Sequence, residues 1–525
     1  MNMGKKSSQD VNDIPFPLLQ FVVLDLLKPL THIFNLSIEK GIFPTNLKTS
    51  KVVAIYKNSG SPLDVNCHRG IAIVNQVSKV FEKLICRRLL NFLYANDFFD
   101  DNQFGFLKDR STNHAILRII NYISEYINKG DYVVGVFLDA MKAFDSVNHD
   151  ILLSKLDNAG VRGNALNWFK SYLSGRNQKV KVGESWSELK DINISVLQGS
   201  VLGVILFIIF INDLHRASDK ALTVLFADDA TPLFSHNNLT ELNILVNEEL
   251  MKICDWYCAN KLALHPDKSK FILFKSKFDN LDQLPVNNDK QYFPLFLNMN
   301  DTNECNITKI KMIKHVPSSD EKSVRVLGVL LDQDLTLVEH IKSLHSKLSR
   351  NLYALRQISN LFPTPILKLV YNANFQSHIN YCSNILSICT KTSLEPIIKM
   401  QKKAIRLVSK VKYNESTIPL FKEHNILPIK EQIEYSSLLA MHDYLTEILS
   451  PSFYPTWIRN NHLNGNYNLR NGDDIHIRPH RYEYLKRHPL FNFGLLWNNL
   501  NDELKCIENR NVFSRSIKSK LINAL

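Results

Sequence analysis

The sequence predicts a mixed α/β (α+β) fold, in which an antiparallel sheet with packed helices precedes a mostly helical C-terminal region. The apolar, β-branched run at 132–138 has the composition of a buried strand. Residues 222–226 and 230–234 indicate two more strands, which are antiparallel and joined by a tight turn. Beyond residue 345 the apolar residues instead recur at helical spacing. Strands in the first part and helices in the second therefore define the fold class.

Helical patterns also occur before and between the predicted strands. Residues 14–50 carry apolar residues at helical spacing. A further helix is expected to close at Gly160, with Asp145 or Asp150 as its N-terminal cap. The very apolar helix predicted at 200–214 is shorter than the about 20 residues that cross a bilayer, so it is expected to be buried. The sequence therefore predicts no membrane span.

The composition is that of a globular protein with room for several subdomains: 525 residues, of which 45% are hydrophobic and 22% charged. The net charge of +12 suits a phosphate-rich partner, although a basic balance is also common in proteins that bind no nucleic acid. The 8 cysteines include no Cys-x-x-Cys pair, which predicts reduced thiols in the nucleus or cytoplasm. Cys254 and Cys258 are assigned to one helix face rather than to a zinc site. The polar N-terminus indicates no secretory signal peptide.

Three carboxylates occupy positions that would bring them together. Asp139 follows directly on the first predicted strand, and Asp228 and Asp229 lie at the tip of the predicted hairpin. A strand end and a hairpin tip can face each other across a sheet, where rigidly held oxygen ligands suit divalent ions. Paired aspartates are also ordinary turn residues, so the hairpin by itself favours a structural role. Together the two segments point to nucleotidyl transfer, in which paired metal ions stabilise the attacking and leaving oxygens.

The sequence around these carboxylates resembles the reverse transcriptases of non-LTR retrotransposons, the LINE-type elements, and most closely their jockey-like group. The resemblance covers nearly the whole chain and rests on the order and spacing of several motifs. These motifs are Lys51–Lys57, Val80–Ile85, Gln103–Phe106, Ser111-Thr112, Phe137–Asp145, Leu197–Gly203, Ile211–Leu214, Phe226–Asp229, Trp256, Asn260–Leu262, Lys268, Val326–Asp332 and His340-Ile341.

The resemblance implies a right-hand polymerase with fingers, palm and helical thumb. Residues 1–50 would extend the fingers, 51–345 would form the fingers and palm, 346–440 the thumb, and 441–525 a mostly helical C-terminal region. Within the palm, a polar segment at 275–323 would be a hairpin and loop insert. Full elements of this family carry an upstream endonuclease, so the chain is expected to be a fragment or truncated copy that lacks it.

The implied activity is RNA-directed DNA polymerisation, in which a DNA 3′-hydroxyl is extended on an RNA template with dNTPs. The DNA would be a primer or nicked target DNA, and no membrane partner is implied. Two Mg²⁺ ions, replaceable by Mn²⁺, would be held by Asp139, Asp228 and Asp229. Lys268 would donate a proton to the leaving pyrophosphate, although it fits equally well as an exposed loop lysine. The alternative function is a catalytically inactive nucleic-acid-binding relic.

The family pattern also assigns residues to the incoming nucleotide. Lys57 and Arg69 of the fingers would grip triphosphate oxygens, or else be solvated surface charges. Phe144 would be a steric gate that leaves no room for a ribose 2′-hydroxyl, and its alternative is a core aromatic. Gln198 would contact the nucleotide, and Gly199 would let the backbone approach the template–primer closely.

A second set of residues is assigned to the primer and to nucleic-acid strands. Leu327, Gly328 and Val329 would form the primer grip, with a glycine-punctuated core strand as the alternative. Two groups of cations follow. The group in the thumb could contact phosphates or form a solvated outer face, and the group in the C-terminal region, which is mixed with tyrosines, suits single-stranded nucleic acid. The groups are Lys399, Lys402, Lys403 and Arg406 in the thumb, and Arg470, Arg478, His480 and Arg481 in the C-terminal region.

The chain departs from the family pattern near the nucleotide site. Ser195 and Leu197 stand where the family has Gly and Pro, and Val204 replaces a further Pro. In the fingers, the usual Tyr-Arg-Pro-Ile becomes His68-Arg69-Gly70-Ile71. Loss of proline frees backbone that the family keeps stiff. No metal ligand is altered, so these changes are expected to affect nucleotide affinity or accuracy.

Overall fold

The structure is a computed structural model of the chain. It describes residues 10, 14–58, 60–276, 286–287, 290–291, 293–301, 304–316, 321–446, 457–460 and 474–525. Arg470 lies outside the described residues, as does part of the predicted 275–323 insert.

The helices and strands follow one another in this order. Up to residue 192 they are α1 (Phe16–Phe21), α2 (Val23–Lys40), β1 (Thr49–Tyr56), β2 (His68–Val74), α3 (Gln76–Ala95), α4 (Thr112–Lys129), β3 (Tyr132–Phe137), α5 (His149–Asn158), α6 (Asn164–Leu173), β4 (Arg176–Val182), β5 (Ser185–Trp186) and β6 (Lys190–Ile192). From 201 to 331 they are α7 (Val201–Ile211), β7 (Leu222–Phe226), β8 (Asp229–His236), α8 (Leu239–Ala259), β9 (Lys270–Phe274), β10 (Val286–Asn287), β11 (Lys290–Gln291), β12 (Phe296–Asp301), β13 (Glu304–Met312), β14 (Lys314–His315), β15 (Val324–Val326) and β16 (Val329–Leu331). The remainder is helical: α9 (Val338–Ile358), α10 (Thr364–Tyr371), α11 (Ser377–Asn380), α12 (Lys391–Ser409), α13 (Ile418–His424), α14 (Ile429–Leu445), α15 (Pro489–Asn498), α16 (Asp502–Lys505) and α17 (Arg510–Ala524).

A five-stranded sheet with the order β14-β9-β3-β8-β7, here called the palm sheet, contains the strands predicted from the sequence. β3 pairs antiparallel with β8 and β9, and β7 pairs antiparallel with β8, as predicted for the hairpin. The middle residues of β3 are fully buried because helices cover the sheet, which agrees with its continuous apolar run. This sheet therefore confirms the mixed α/β class and places the strand end beside the hairpin tip.

The other five-stranded sheet, here called the fingers sheet, is built from two distant parts of the chain. β1 pairs antiparallel with β2 on one side and parallel with β4 on the other, and both β5 and β6 pair with β4. The sequence indicated no strand within 176–192. The reason is physical: β4 gains its partner from residues far upstream, and its alternating Lys and Val show no buried face.

The apolar helix at the centre of the molecule is α7, whose residues Leu202, Gly203 and Ile205–Ile211 are all buried. It ends at Ile211 and continues as a 3-10 turn, so the predicted helix at 200–214 is confirmed with a shorter α-helical part. Among the described residues, no helix combines the length and apolar character needed to cross a membrane.

Two details of the predicted helices differ from the structure. α5 is capped by Asn148, whose side chain accepts a hydrogen bond from the Ile151 amide at 3.1 Å, and neither Asp145 nor Asp150 is the cap. α9 begins at Val338, so the predicted palm–thumb boundary at 345 falls inside this helix.

Within the predicted insert, β12 and β13 pair antiparallel, with register shifts near Asn300.

The C-terminal helices pack onto the thumb and onto the back of the palm. α15 contacts α4 and α14, and α17 contacts α14. Arg510 at the start of α17 donates to Asp443 of α14 through Nη2 to Oδ2 at 3.0 Å and through Nε to Oδ1 at 2.5 Å. Such a two-point ion pair fixes the angle between the two helices.

Two buried histidines predict a loss of stability in mild acid. Burial lowers the pKa of His114 in α4 and of His340 in α9 from 6.5 to about 4 in each case. Between those values the unfolded chain binds protons that the folded chain excludes, so the free energy of unfolding falls as pH falls. Each histidine should contribute roughly 2 kcal/mol of this loss between about pH 7 and about pH 5. Urea denaturation at the two pH values measures it, and an unchanged pH dependence in His114→Gln/His340→Gln would contradict the assignment.

Candidate active site

Two neighbouring strands bring the three predicted carboxylates to one edge of the palm sheet. The Leu138 amide donates to the Ala230 carbonyl at 3.0 Å, so Asp139 and Asp229 flank a paired position. Asp228 lies in the two-residue turn between β7 and β8, where Ala227 adopts a φ of 55°. This left-handed backbone is unusual for a residue with a Cβ and is typical of tight hairpin turns.

The electrostatics of the cluster show that these carboxylates repel one another. Burial and the charge of Asp139 raise the pKa of Asp228, and the nearby Arg69 partly offsets the rise. Burial and the charges of Asp228 and Asp139 raise the pKa of Asp229 to about 6, although its outer edge remains exposed to solvent. Asp229 lines a cavity together with Phe226 and Leu327, so one side of its side chain faces protein while the other side faces solvent. Like charges held this close favour a bound cation.

The donor set therefore fits divalent metal ions by its chemistry, since it consists of carboxylate oxygens on rigid strands. The side chains are not arranged as a closed shell: in the described part of the chain, no three His, Cys, Asp or Glu side chains converge closely enough to hold an ion. Asp139 instead faces Lys268, with 3.7 Å between Oδ2 and Nζ.

The loop that carries Lys268 is tied to the end of β3. The Asp139 amide donates to Ser269 Oγ at 3.2 Å, and the His265 amide donates to the Asp139 carbonyl at 2.7 Å. The Lys268 side chain is 64% exposed, so it can leave Asp139 for another anion. The structure thus brings this predicted residue to the carboxylates.

Phe144 is partly packed into the core and partly open to solvent. It lies in the 3-10 turn Ala143–Ser146 and stacks on Phe207 of α7, with ring centroids 4.4 Å apart. The ring is only half-buried, so one part packs against the core and another faces solvent. Because the core fixes the position of the ring, its exposed part can sterically restrict whatever binds beside it.

The loop before α7 lies against the fingers sheet. The Gln198 carbonyl accepts from the Ala72 amide of β2 at 2.8 Å. Gly199 has a φ of 116°, and a Cβ there would lie 2.5 Å from the Ala72 carbonyl oxygen. Glycine is therefore required for contact with β2, whereas the sequence suggested contact with the template–primer.

Ser195, which replaces a family glycine, holds a backbone conformation suited to glycine. Its φ is 109°, in a region that residues with a Cβ rarely adopt. Two contacts hold it there: its amide donates to the Val147 carbonyl at 2.9 Å, and His149 Nε2 donates to its carbonyl at 2.8 Å. Two hydrogen bonds therefore hold a serine in a backbone conformation that glycine adopts without strain.

Ser195→Gly is accordingly expected to raise the free energy of unfolding by about 1 kcal/mol, since glycine accepts this φ without strain. The greater entropy of glycine in the unfolded chain limits the gain. Denaturant titration measures the change. Ser174→Gly is the matched control, because Ser174 has an ordinary φ of −83° and should lose stability. Lower stability in Ser195→Gly would show that the loop is not strained.

The fingers cations lie at the edge of the site. Arg69 of β2 is exposed and close enough to Asp228 to lower its pKa. Lys57 follows β1, is exposed, and donates its backbone amide to the Cys67 carbonyl at 2.9 Å. The structure therefore brings Arg69 to the carboxylates and places Lys57 at the loop end of the β1–β2 hairpin.

The predicted primer grip is a tight hairpin turn between β15 and β16. Leu327 and Gly328 have φ values of 45° and 87°, as a type I′ turn requires. The Tyr381 hydroxyl donates to the Leu327 carbonyl. Leu327 shares a cavity with Asp229, whereas the Val329 side chain is fully buried and can act only as core.

Sequence reasoning assigned no role to Glu82, which the structure places behind the Gln198–Gly199 loop. Its fully buried carboxylate accepts from the Val201 amide at 2.8 Å and the Leu202 amide at 3.4 Å, at the N-terminus of α7. Ser78 Oγ also donates to it at 3.1 Å. Glu82 lies within the Val80–Ile85 motif, but the two α7 amides that it accepts from are about 120 residues away, so no local pattern shows them.

A carboxylate cluster at a sheet edge, a second sheet with cations beside it and a following helical lobe define a nucleotidyl-transferring polymerase fold. Residues 55–331, just over half of the chain, match the model of the reverse transcriptase (RNA-dependent DNA polymerase) family, and the chain belongs to this family.

Curated relatives come from non-LTR transposons. The probable RNA-directed DNA polymerase from transposon BS of Drosophila melanogaster is 26% identical over 458 residues, which are 83% of this chain and 47% of the relative. The RNA-directed DNA polymerase from mobile element jockey of Drosophila funebris is 26% identical over 391 residues, 72% of this chain and 40% of the relative. The chain thus spans less than half the length of these two relatives.

Among solved structures, a telomerase from Candida albicans in complex with a telomeric RNA fragment can be superposed on this chain with a TM-score of 0.34 and 13% identity. The superposition covers 73% of this chain and 63% of the telomerase chain. A score this low adds nothing to the family match.

Proposed function

We propose that this chain is the catalytic part of an RNA-directed DNA polymerase, which extends a DNA 3′-hydroxyl on an RNA template with dNTPs. The observation that carries the proposal is the placement of Asp139, Asp228 and Asp229 at adjoining ends of the palm strands, in a chain of the reverse transcriptase family. Mutual repulsion within this cluster supports its use as a cation site.

Asp139, Asp228 and Asp229 are the proposed ligands of two Mg²⁺ ions, for which Mn²⁺ can substitute. When bound, these ions would stabilise the attacking 3′-oxygen and the leaving phosphate oxygens. Lys268 lies 3.7 Å from Asp139 and would give a proton to the leaving pyrophosphate, as an exposed ammonium on a tethered loop can do.

The residues around the cluster are proposed to hold the nucleotide. Arg69, together with Lys57, would neutralise triphosphate oxygens from the fingers side. The exposed part of Phe144 would exclude a 2′-hydroxyl, supported from behind by Phe207. The Gln198–Gly199 loop, held between β2 and α7, would form the floor of the pocket.

The turn of Leu327 and Gly328 is the proposed primer contact, because its backbone is exposed beside the cavity that Asp229 lines. The buried Val329 would only support this turn. The DNA bound there would be a primer or nicked target DNA. Action in the nucleus or cytoplasm is also proposed, because Cys67, Cys86, Cys382, Cys389 and Cys506 are present as thiols rather than as disulfides.

A catalytically inactive nucleic-acid-binding relic is the second candidate, and the strained Ser195 beside the nucleotide loop favours it. Primer extension by the purified chain on poly(rA)–oligo(dT) with Mg²⁺ decides between the two. DNA synthesis that is lost in Asp139→Asn would establish the polymerase. A well-folded wild type that binds RNA but makes no DNA with Mg²⁺ or Mn²⁺ would establish the relic.

A further inference from the structure

A tyrosine of the C-terminal helical part covers the turn that is the proposed primer contact. Tyr381 follows directly on α11 and is 42% exposed. Its hydroxyl donates to the Leu327 carbonyl, and a Cβ at Gly328 would lie 3.3 Å from its ring carbon Cε1 and 3.6 Å from Cζ. One side chain from the range predicted as the thumb therefore contacts both residues of the turn.

The hydrogen bond acts on the peptide of this turn that the hairpin itself leaves unpaired. The ladder of β15 and β16 ends at the pair of Val326 and Val329, so the peptide between Leu327 and Gly328 lies outside it. Such a central peptide can rotate and convert a type I′ turn to type II′, since the two types differ only in the dihedral angles of the turn residues. A donor on the Leu327 carbonyl opposes this rotation. Because the peptide is planar and trans, the Gly328 N–H then points away from Tyr381.

The segment that carries Tyr381 is held by a network of side-chain amides. Gln376 closes a π-helical turn, a feature that is frequent at functional sites, and its Nε2 donates to Asn380 Oδ1 at 2.9 Å. Its Oε1 accepts from the Tyr371 hydroxyl at 2.7 Å and from Gln401 Nε2 at 3.2 Å. Gln376, Gln401 and Tyr371 are buried, and a buried network whose members are paired fixes one local geometry. Tyr381 is thus presented by a rigid segment.

The exposure of Tyr381 distinguishes it from its neighbours in the chain. Ile379 and Cys382 are 0% and 5% exposed, and a ring that served only the core would be buried with them. Partial burial raises the pKa of the Tyr381 hydroxyl, so this group stays a donor at neutral pH. Leu327, which accepts from it, lines the same cavity as Asp229. A single hydrogen bond therefore connects Tyr381 to the wall of the candidate active site.

We propose that Tyr381 is a positioning residue of the primer site. Its hydroxyl holds the central peptide of the Leu327–Gly328 turn, so that the Gly328 N–H is presented to the primer strand, whose phosphate and sugar oxygens suit a backbone donor. The proposal rests on the proposed polymerase function, which supplies the primer. It adds a residue outside the palm that sets where the primer 3′-hydroxyl lies relative to the carboxylates.

Tyr381→Phe tests this role, because it removes the hydroxyl and keeps the ring. Single-turnover incorporation from a preformed complex with primer–template, over a range of dNTP concentrations, separates three quantities. The amplitude gives the fraction of active complex, the maximal rate gives the alignment of the 3′-hydroxyl, and the half-saturating dNTP concentration reports the nucleotide pocket. We expect the maximal rate to fall about tenfold, as the loss of one hydrogen bond allows, with the other two quantities unchanged.

A second readout needs no catalysis. A primer with 2-aminopurine as its 3′-terminal base reports, by its fluorescence, how the terminus is held in the complex without dNTPs. We expect the fluorescence of the complex with Tyr381→Phe to move toward that of the free duplex, because the variant fixes the terminus less firmly.

Tyr353→Phe is the matched control. Tyr353 is 67% exposed on α9, so this change also removes one tyrosine hydroxyl from the C-terminal helical part. Within the described residues, the hydroxyl that bonds the turn belongs to Tyr381. The control should match the wild type in both readouts, and melting temperatures close to that of the wild type would confirm that both variants fold.

Each outcome has a distinct meaning. A maximal rate and a terminal fluorescence equal to those of the wild type would overturn the proposal. A loss confined to the amplitude would overturn it too, because Tyr381 would then only stabilise the fold, and so would an equal loss of rate in Tyr353→Phe. If the wild type makes no DNA with Mg²⁺ or Mn²⁺, the proposed polymerase function fails, whereas the terminal fluorescence still decides whether Tyr381 positions the primer.

Discussion

Asp228→Asn is expected to lower metal-dependent dNTP incorporation at least about a thousandfold, because the amide removes the charge that would hold a divalent ion between the attacking and leaving oxygens. Folding should survive the change. Asp228 is one of three carboxylates that repel one another, so removing its charge relieves repulsion rather than breaking a favourable pair. Primer extension gives the rate, and a thermal melt gives the stability.

The matched control for this prediction is Asp150→Asn. Asp150 is an exposed carboxylate in the first turn of α5, so its replacement should cost only a few tenths to about 1 kcal/mol of helix stabilisation and leave incorporation unchanged. Incorporation by Asp228→Asn at the wild-type rate would show that the cluster is not the catalytic centre. An equal loss in Asp150→Asn would show that the assay reports stability.

Phe144→Ala is expected to reduce discrimination against ribonucleotides by on the order of a hundredfold, because the half-exposed ring would no longer block a 2′-hydroxyl. The variant should also lose stability, since the stacked contact with Phe207 disappears along with apolar burial. Single-nucleotide incorporation with dTTP and UTP measures the ratio in each protein.

Phe144→Tyr separates selectivity from stability. It keeps the ring and its stacking partner, so discrimination should remain near that of the wild type. Phe144→Ala with unchanged sugar selectivity would leave the residue as a core aromatic. A parallel loss of incorporation for both sugars would mean that the ring supports the pocket without selecting the sugar.

The palm could be predicted from sequence because its signals are local. β3 is a continuous apolar run, the β7–β8 hairpin has turn residues at its tip, and α7 is apolar all round. Strands and helices have different periods of apolar residues, and each of these patterns can be recognised within a short stretch of sequence. These elements alone allowed Asp139 to face the hairpin tip, whereas the assignment of the three carboxylates to one site also needed the family resemblance.

Long-range contacts account for what the sequence did not show. Glu82 caps α7 across about 120 residues, and Gly199 is required because of the β2 carbonyl at Ala72. The strain at Ser195 could not be predicted, because serine does not favour the backbone angle φ that this residue adopts. The cap of α5 is a local feature that was missed, since Asn148 competes with two nearby aspartates that fit the same pattern.

The division of the fingers sheet between two distant segments has a consequence during translation. Thr49 of β1 bonds Asn177 of β4 across 128 residues, so β1 exposes an open edge until β4 has left the ribosome. An unpaired edge is a template for association between chains. Products of premature termination before β4, which begins at Arg176, should therefore accumulate as aggregates, and an expressible fragment of the fingers must include the following segment through β6.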